Sequence, residues 1–240
     1  MKQKILLLLC TVMGSFSILS AQIEKPSPRL RFSTSGCLGY QTAEGNSSST
    51  AFVNQEKIDK FANDLRWTKT LNADGHYLFK SNWGLGLKYL LNTSSSEAED
   101  VIMAADDNIH YLVGNISESL YINYIGLSFC GYLPLEIDRK MMMLFSVSGG
   151  YAHLRDESKI VMVNYLYTGG TFAANYEFGV DYCLNSHISL GVTASFFSGN
   201  FYTINVNDGF ETKEVKLDSD TRINASNMNL GMGIRYYINQ

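Results

Sequence analysis

Through most of this chain apolar and polar residues alternate with a period of two, the mark of strands with one greasy and one polar face. The last stretch shows it best: Met228, Leu230, Met232, Ile234, Tyr236 and Ile238 share one side, Asn229, Gly231, Gly233 and Arg235 the other. The pattern predicts seven earlier strands. Strand one, Leu30 to Tyr40, sets Leu30, Phe32, Thr34, Leu38 and Tyr40 against Arg31, Ser33, Ser35 and Cys37. Strand two (Thr70 to Phe79) and strand three (Trp83 to Asn92) are separated only by Lys80, Ser81 and Asn82, which makes them a tight hairpin. Strand four, about Glu118 to Leu133, has mixed faces: Asn123 and Ser128 disagree in parity, which leaves its apolar side open and allows a bulge. Strand five spans Met141 to His153, strand six Thr171 to Cys183, strand seven begins at Ile188, and strand eight is the C-terminal stretch.

Between these strands the connections alternate long and short. The long ones are polar: a Ser/Thr/Asn-rich stretch from Thr42 to Thr50, a segment from Thr93 to Ser117 with an acidic patch (Glu97, Glu99, Asp100, Asp106, Asp107), Arg155 to Gly170, and Asn200 to Ile223. After the first, still before strand two, Ile58, Phe61 and Leu65 recur at helical spacing, so Gln55 to Arg66 is read as a short amphipathic helix. In the third, Ile160 to Tyr167 is apolar enough to carry the flanking strands further. Eight strands with this asymmetry fit an all-β, antiparallel, up-and-down transmembrane barrel, with short periplasmic turns, long extracellular loops and both termini in the periplasm. Closure is a physical requirement, since an open edge in lipid leaves N–H and C=O groups unpaired.

Composition supports the same reading. Of 240 residues 45% are hydrophobic, 15 are Tyr and 13 Phe, and only 3 are Pro, so little interrupts the ladders. Lys2 and Lys4 precede the apolar run Ile5 to Leu9, and Ser20-Ala21-Gln22 offers a small-residue cleavage site: a signal peptide over 1–21, with one barrel domain over 22–240. Without the two leader lysines 17 basic residues face 23 acidic ones, a net charge of −6, which argues against nucleic acid as a partner. Cys37, Cys130 and Cys183 form neither a disulfide framework nor a zinc spacing and are read as small buried or interfacial residues.

The hairpin Gly75-His76-Tyr77-Leu78-Phe79-Lys80-Ser81-Asn82-Trp83-Gly84-Leu85-Gly86-Leu87-Lys88-Tyr89, the leader and the last strand resemble the outer-membrane protein beta-barrel domain family, small porin-like barrels of Gram-negative bacteria. The resemblance implies residence in the outer membrane, contact with its lipid and lipopolysaccharide, and insertion by the barrel-assembly machinery. That machinery reads a terminal aromatic residue; here Tyr236 and Tyr237 supply the aromatic character and Ile238-Asn239-Gln240 follow.

Candidate chemistry lies on the inward faces. Arg31, Asp74, His76, Lys88, Glu177, Asp181 and Arg235 all point into a lumen that eight strands make about wide enough for side chains to fill. Setting His76 aside, three cations meet three anions, and charges in so narrow a space must pair. They form either a fixed salt-bridged plug or a narrow gated pore. One pair is specified by register: with a Lys80-Ser81-Asn82 turn, Phe79 faces Trp83, Tyr77 faces Leu85, Leu71 faces Leu91, and Asp74 faces Lys88. Some eight-stranded outer-membrane barrels are lipid A deacylases with a His-x-Ser pair, but the lone match here, His187-Ile188-Ser189, opens strand seven on the periplasmic side with Ser189 inward. The acidic patch lacks the ligand order and glycine of a calcium loop. The expectation is a non-enzymatic barrel with no cofactor or metal, structural or surface-binding through its extracellular loops. The alternative is a narrow small-solute pore.

Overall fold

A computed structural model describes residues 30–42, 54–80, 82–104, 111–135, 140–219 and 221–238. The leader, its cleavage site, Asp106 and Asp107 lie outside the described residues. Eight long strands form the wall: β1 (Leu30–Gln41), β2 (Trp67–Lys80), β3 (Trp83–Ala104), β4 (Tyr111–Pro134), β5 (Met141–Ile160), β6 (Val163–Cys183), β7 (Ile188–Phe201) and, last in the chain, β11 (Asn227–Ile238). Each pairs antiparallel with its neighbour, and β11 pairs with both β1 and β7, so the sheet closes.

The ladders give the geometry. One row of opposed residues starts at Trp83, passes Gly131, Phe145, Phe178, Ala194, Leu230, Leu38 and Lys69, and returns to β3 at Thr93. A full turn therefore climbs ten residues. Ten rises of about 3.3 Å against eight spacings of about 4.8 Å tilt the strands by about 40°. Thr93 then stands about 25 Å above Trp83, the height of an outer-membrane apolar band.

Outward side chains fill that band. Leu38, Leu71, Leu87, Leu127, Phe178, Leu190 and Leu230 are exposed, with no cover from the described residues. Aromatics mark its rims: Trp83 stacks on Phe129 at the short-turn end, and Tyr40 meets Trp67 edge-on at the other. No described helix is long and apolar enough to cross a membrane; the strands make the crossing.

Beyond the upper rim the wall continues, and here the sequence expectations need correction. Thr93 to Ser117 is not a polar loop: β3 runs on to Ala104 and β4 begins at Tyr111. Its Ser- and Glu-rich composition suits strands wetted on both faces, which alternation cannot reveal. A bulge between Ala98 and Val101 places Asp100 at φ 52 and turns Val101 inward. Across Arg155 to Gly170 the flanking strands do run on, as the apolar stretch Ile160 to Tyr167 allowed, with β5 reaching Ile160 and β6 starting at Val163. The last connection holds β8 (Thr203–Asn207), β9 (Thr212–Lys216) and the short β10 (Ile223–Asn224); β8 pairs with β6, and β9 with β8.

The expected helix is present as α1 (Gln55–Leu65) and covers the upper edge of β3. Ile58 packs with Val101 and Ile116, and the Lys57 ammonium donates to the carbonyls of Glu99 (2.8 Å) and Asp100 (3.3 Å) at the bulge. An edge that would offer bare backbone is thereby closed. On strand four no bulge interrupts pairing with β5. Ser128 faces in and Asn123 faces out, where the Tyr89 hydroxyl donates to its side-chain oxygen at 2.7 Å. One polar residue on the lipid side, satisfied by a neighbouring phenol, is what scrambled the parity.

Candidate functional site

Inward residues stack in layers along the barrel axis. On β4, from the short-turn end, they read Tyr132, Cys130, Ser128, Gly126, Tyr124 and Ile122: apolar, polar, apolar. The lowest layer joins Leu78, Cys130, Tyr132 and Leu144. All seven expected ionisable residues, Arg31, Asp74, His76, Lys88, Glu177, Asp181 and Arg235, are buried; Arg31, Asp181 and Arg235 stand level with this layer, Arg31 over the Tyr132 ring at 5.5 Å, and Asp74, Lys88 and Glu177 lie above it.

Their pairing is cross-lumen as well as cross-strand. Arg31 donates to Asp74 Oδ1 at 2.6 Å, and the Ser33 hydroxyl donates to Oδ2 at 2.7 Å. His76 Nδ1 lies 3.0 Å from the same Oδ1 and 3.2 Å from Arg31 Nη1, while its Nε2 is 2.9 Å from the Ser128 hydroxyl. Arg31 is donor-only, so Nδ1 either accepts from Arg31 or donates to Asp74; it cannot do both. Arg235 Nε stands 3.3 Å from Asp181 Oδ1. Lys88 bonds Glu177.

That last pair corrects the register-based expectation. Asp74 and Lys88 are indeed opposed on the hairpin, as are Tyr77 with Leu85 and Leu71 with Leu91. Their charges go elsewhere. The short Asp74 carboxylate is already taken by Arg31 and Ser33 of β1, whereas the long Lys88 stem crosses the lumen to β6. Phe79 does not face Trp83 either, because a shift after Leu78 puts Lys80 there.

Above the charges lies a layer the sequence reading missed. Leu90, Ile122, Tyr124, Leu154, Phe197 and Phe201 close over one another, all fully buried, with Tyr124 edge-on to Phe197 at 5.6 Å. A parity signal was there: Leu90 shares its face with Lys88 and Asn92, and Tyr124 shares its face with Ser128. Asparagines Asn72, Asn175, Asn227 and Asn229 line the same level, with Asn229 linked to Thr70 (2.9 Å) and Asn227 (2.6 Å).

The other expected chemistry does not assemble. His187 is exposed, stacks on Tyr236 and sits 2.9 Å from the Ser186 hydroxyl, whereas Ser189 is buried and donates to Cys183 at 3.4 Å. Glu97, Glu99 and Asp100 lie on β3 and its bulge, and no group of three or more His, Cys, Asp or Glu converges among the described residues.

At the far end of the extended wall, apolar side chains reappear with no cover from the described residues. Tyr111, Leu112 and Val113 lie at the start of β4, Met162 (89% exposed) at the β5–β6 turn, and Phe210 (98%) at the β8–β9 turn. Both turns are built. Asp208 accepts from the backbone N–H groups of Phe210 and Glu211 at 2.9 Å. Val161 holds φ 56, an unusual conformation for a β-branched residue, and donates its N–H to the Asn115 carbonyl. Gly114 beneath it has no room for a Cβ, which would meet Val161 at 2.7 Å.

Below the tips but above the rim, Asp156 and Glu118 turn into the extended barrel. Burial pushes the Asp156 carboxyl up to about 8, with the Glu118 and Glu157 carboxylates adding to the effect; burial also raises Glu118.

Comparison with known proteins agrees with this architecture. The family model described as outer membrane protein beta-barrel domain matches residues 8–235. A major outer membrane protein from Thermus thermophilus is similar in structure at 12% identity, covering 87% of this chain and 99% of its own, with a TM-score of 0.50. OprG from Pseudomonas aeruginosa (10% identity, 90% and 98% covered, TM-score 0.49) and Neisserial surface protein A (10%, 86% and 96%, 0.46) also align with the chain. A comparison with curated protein sequences finds no match.

Proposed function

The chain belongs to the outer membrane protein beta-barrel domain family, and from that premise we propose that it is a surface-binding barrel with a closed lumen. One observation carries the reading: the wall rises past the lipid as an ordered sheet and ends in uncovered apolar side chains. Beyond Thr93, β3 continues eleven residues to Ala104, about 28 Å higher along the axis. Met162 and Phe210 at the turns, with Leu112 and Val113 beside them, would be costly to leave in water without a partner.

The lumen supports the same role by what fills it. Passage would require the Tyr124–Phe197 layer and three ion pairs to part together, so this reading is non-conducting. The leader is removed near Ala21, and the barrel-assembly machinery inserts the mature chain. Cells displaying the protein should bind at least one feature of a protein-and-glycan array, and the Met162→Ser, Phe210→Ser double variant should lose that binding at unchanged surface level. Binding that survives the double substitution would contradict the proposal.

A further inference from the structure

Above the rim the closed ring becomes an open sheet. Beyond Thr93, β3 has no β2 partner, and on the other side the strand order ends at β9. The two edges are treated differently. α1 covers the first, with Lys57 on the carbonyls of Glu99 and Asp100. Among the described residues β9 pairs with β8 alone, and all five of its residues are exposed.

The ladder decides which backbone groups this second edge offers. Asp208 donates its N–H to the Glu211 carbonyl, and Leu217 donates to the Tyr202 carbonyl, so the odd-numbered residues of β9 bond to β8. Bonding alternates along an antiparallel pair. The N–H and C=O groups of Thr212, Glu214 and Lys216 therefore point away from β8, and such a row is a template for one more strand.

A second copy in the same membrane is the wrong shape to supply that strand. An antiparallel partner is generated by a two-fold axis perpendicular to the wall, which turns the other barrel upside down. Copies standing side by side are related by an axis along the membrane normal, and their tilted β9 strands then cross instead of lying alongside. The edge is open without risk of self-assembly, and its occupant comes from another protein.

We propose that the outer edge of β9 is a strand-addition site for an extended foreign segment that reads acidic, apolar, basic. The side chains set that order. Glu214 and Lys216 stand on one face and Val215 on the other, opposite Ile204. An antiparallel guest meets Glu214 with a base, Val215 with an apolar residue and Lys216 with an acid. β9 has the same order in its own Glu214-Val215-Lys216, so a peptide copying Thr212 to Asp218 is a charge-matched guest. The inference deepens the surface-binding reading and rests on its orientation, but not on the apolar tips.

Fluorescence anisotropy of that labelled peptide, titrated with the full-length barrel in detergent, tests it. The wild type should bind saturably. Glu214→Pro removes an outward N–H and none that bonds to β8, and should weaken binding about tenfold. Glu214→Lys should also weaken it, and should regain wild-type affinity for a peptide carrying Lys216→Glu. The Met162→Ser, Phe210→Ser double variant should bind the peptide like the wild type, so failure here and failure of the array experiment are separate outcomes. No binding by the wild type, or unchanged binding by Glu214→Pro, would overturn the edge as a site. Equal binding of both peptides by Glu214→Lys would overturn the charge order.

Discussion

Within the lipid band and above it, the same strands obey different rules. Inside the band each residue has one of two solvents, lipid or the packed lumen, and position in the ladder decides which. Leu71 and Leu91 face lipid while Asn72 and Lys88, on the same hairpin, are buried. Above the rim β3, β4, β5 and β6 meet water on their outer face and α1 or each other on parts of the inner one. There Val101 turns in only because a bulge moves it, and Asp156 is half-buried beside another carboxyl. The embedded part is thus intolerant of change in either direction, and the part above the rim is free to vary where nothing packs.

That contrast can be broken most severely in the lumen. Lys88→Met leaves Glu177 charged, buried and unpaired, and should cost about 3–5 kcal/mol in urea-unfolding experiments on the reconstituted barrel. Lys88→Met combined with Glu177→Leu should recover most of the loss. Lys88→Met combined with Asp74→Asn should not, because Asp74 answers to Arg31. On the lipid face, Leu230→Arg, near the bilayer midplane, should cost about 2–4 kcal/mol and Val180→Arg, nearer the short-turn rim, less, both read as reduced folded fraction on heat-modified gel migration. Thr193→Ser, inward and isosteric but for a methyl, is the control.

Effects above the rim should be smaller. Val161→Gly should stabilise the β5–β6 hairpin by on the order of 1 kcal/mol, since a β-branched residue at positive φ is strained and glycine is not. Slower proteolytic nicking at that turn would show it. Phe210→Ser, at a position almost fully exposed, should change stability by no more than about 0.5 kcal/mol.

The subtlest effect is a titration. The folded-state value for Asp156, about 8, lies above its unfolded one, so the folded chain binds the extra proton between them. Stability of the sheet above the rim is then full below the unfolded carboxylate range and declines as pH rises toward 8. Asp156→Asn should flatten that decline in unfolding measurements from about pH 5 to about pH 9.

How much of this was legible in the sequence follows from the same physics. Strand number, the hairpin register from Lys69 to Leu78 and the inward set of seven ionisable residues could be read, because lipid on one side forces strict alternation. Asn123 hid the face of β4, since its partner Tyr89 lies on another strand. The cation partners of Asp74 and Glu177 were out of reach for a different reason: register names the neighbour across a ladder, and side-chain length decides whether the bond is made there or across the lumen. Strands wetted on both faces, such as β3 beyond Thr93, carry no alternation to read.

Conductance tests the central claim most directly. The purified full-length barrel in a planar bilayer should show no discrete current steps, and Tyr124→Ala with Phe197→Ala, which removes the aromatic layer but not the ion pairs, should remain closed. Steady single-channel openings by the wild-type protein would contradict a plugged lumen, and with it the reading of this barrel as a scaffold for an extracellular surface.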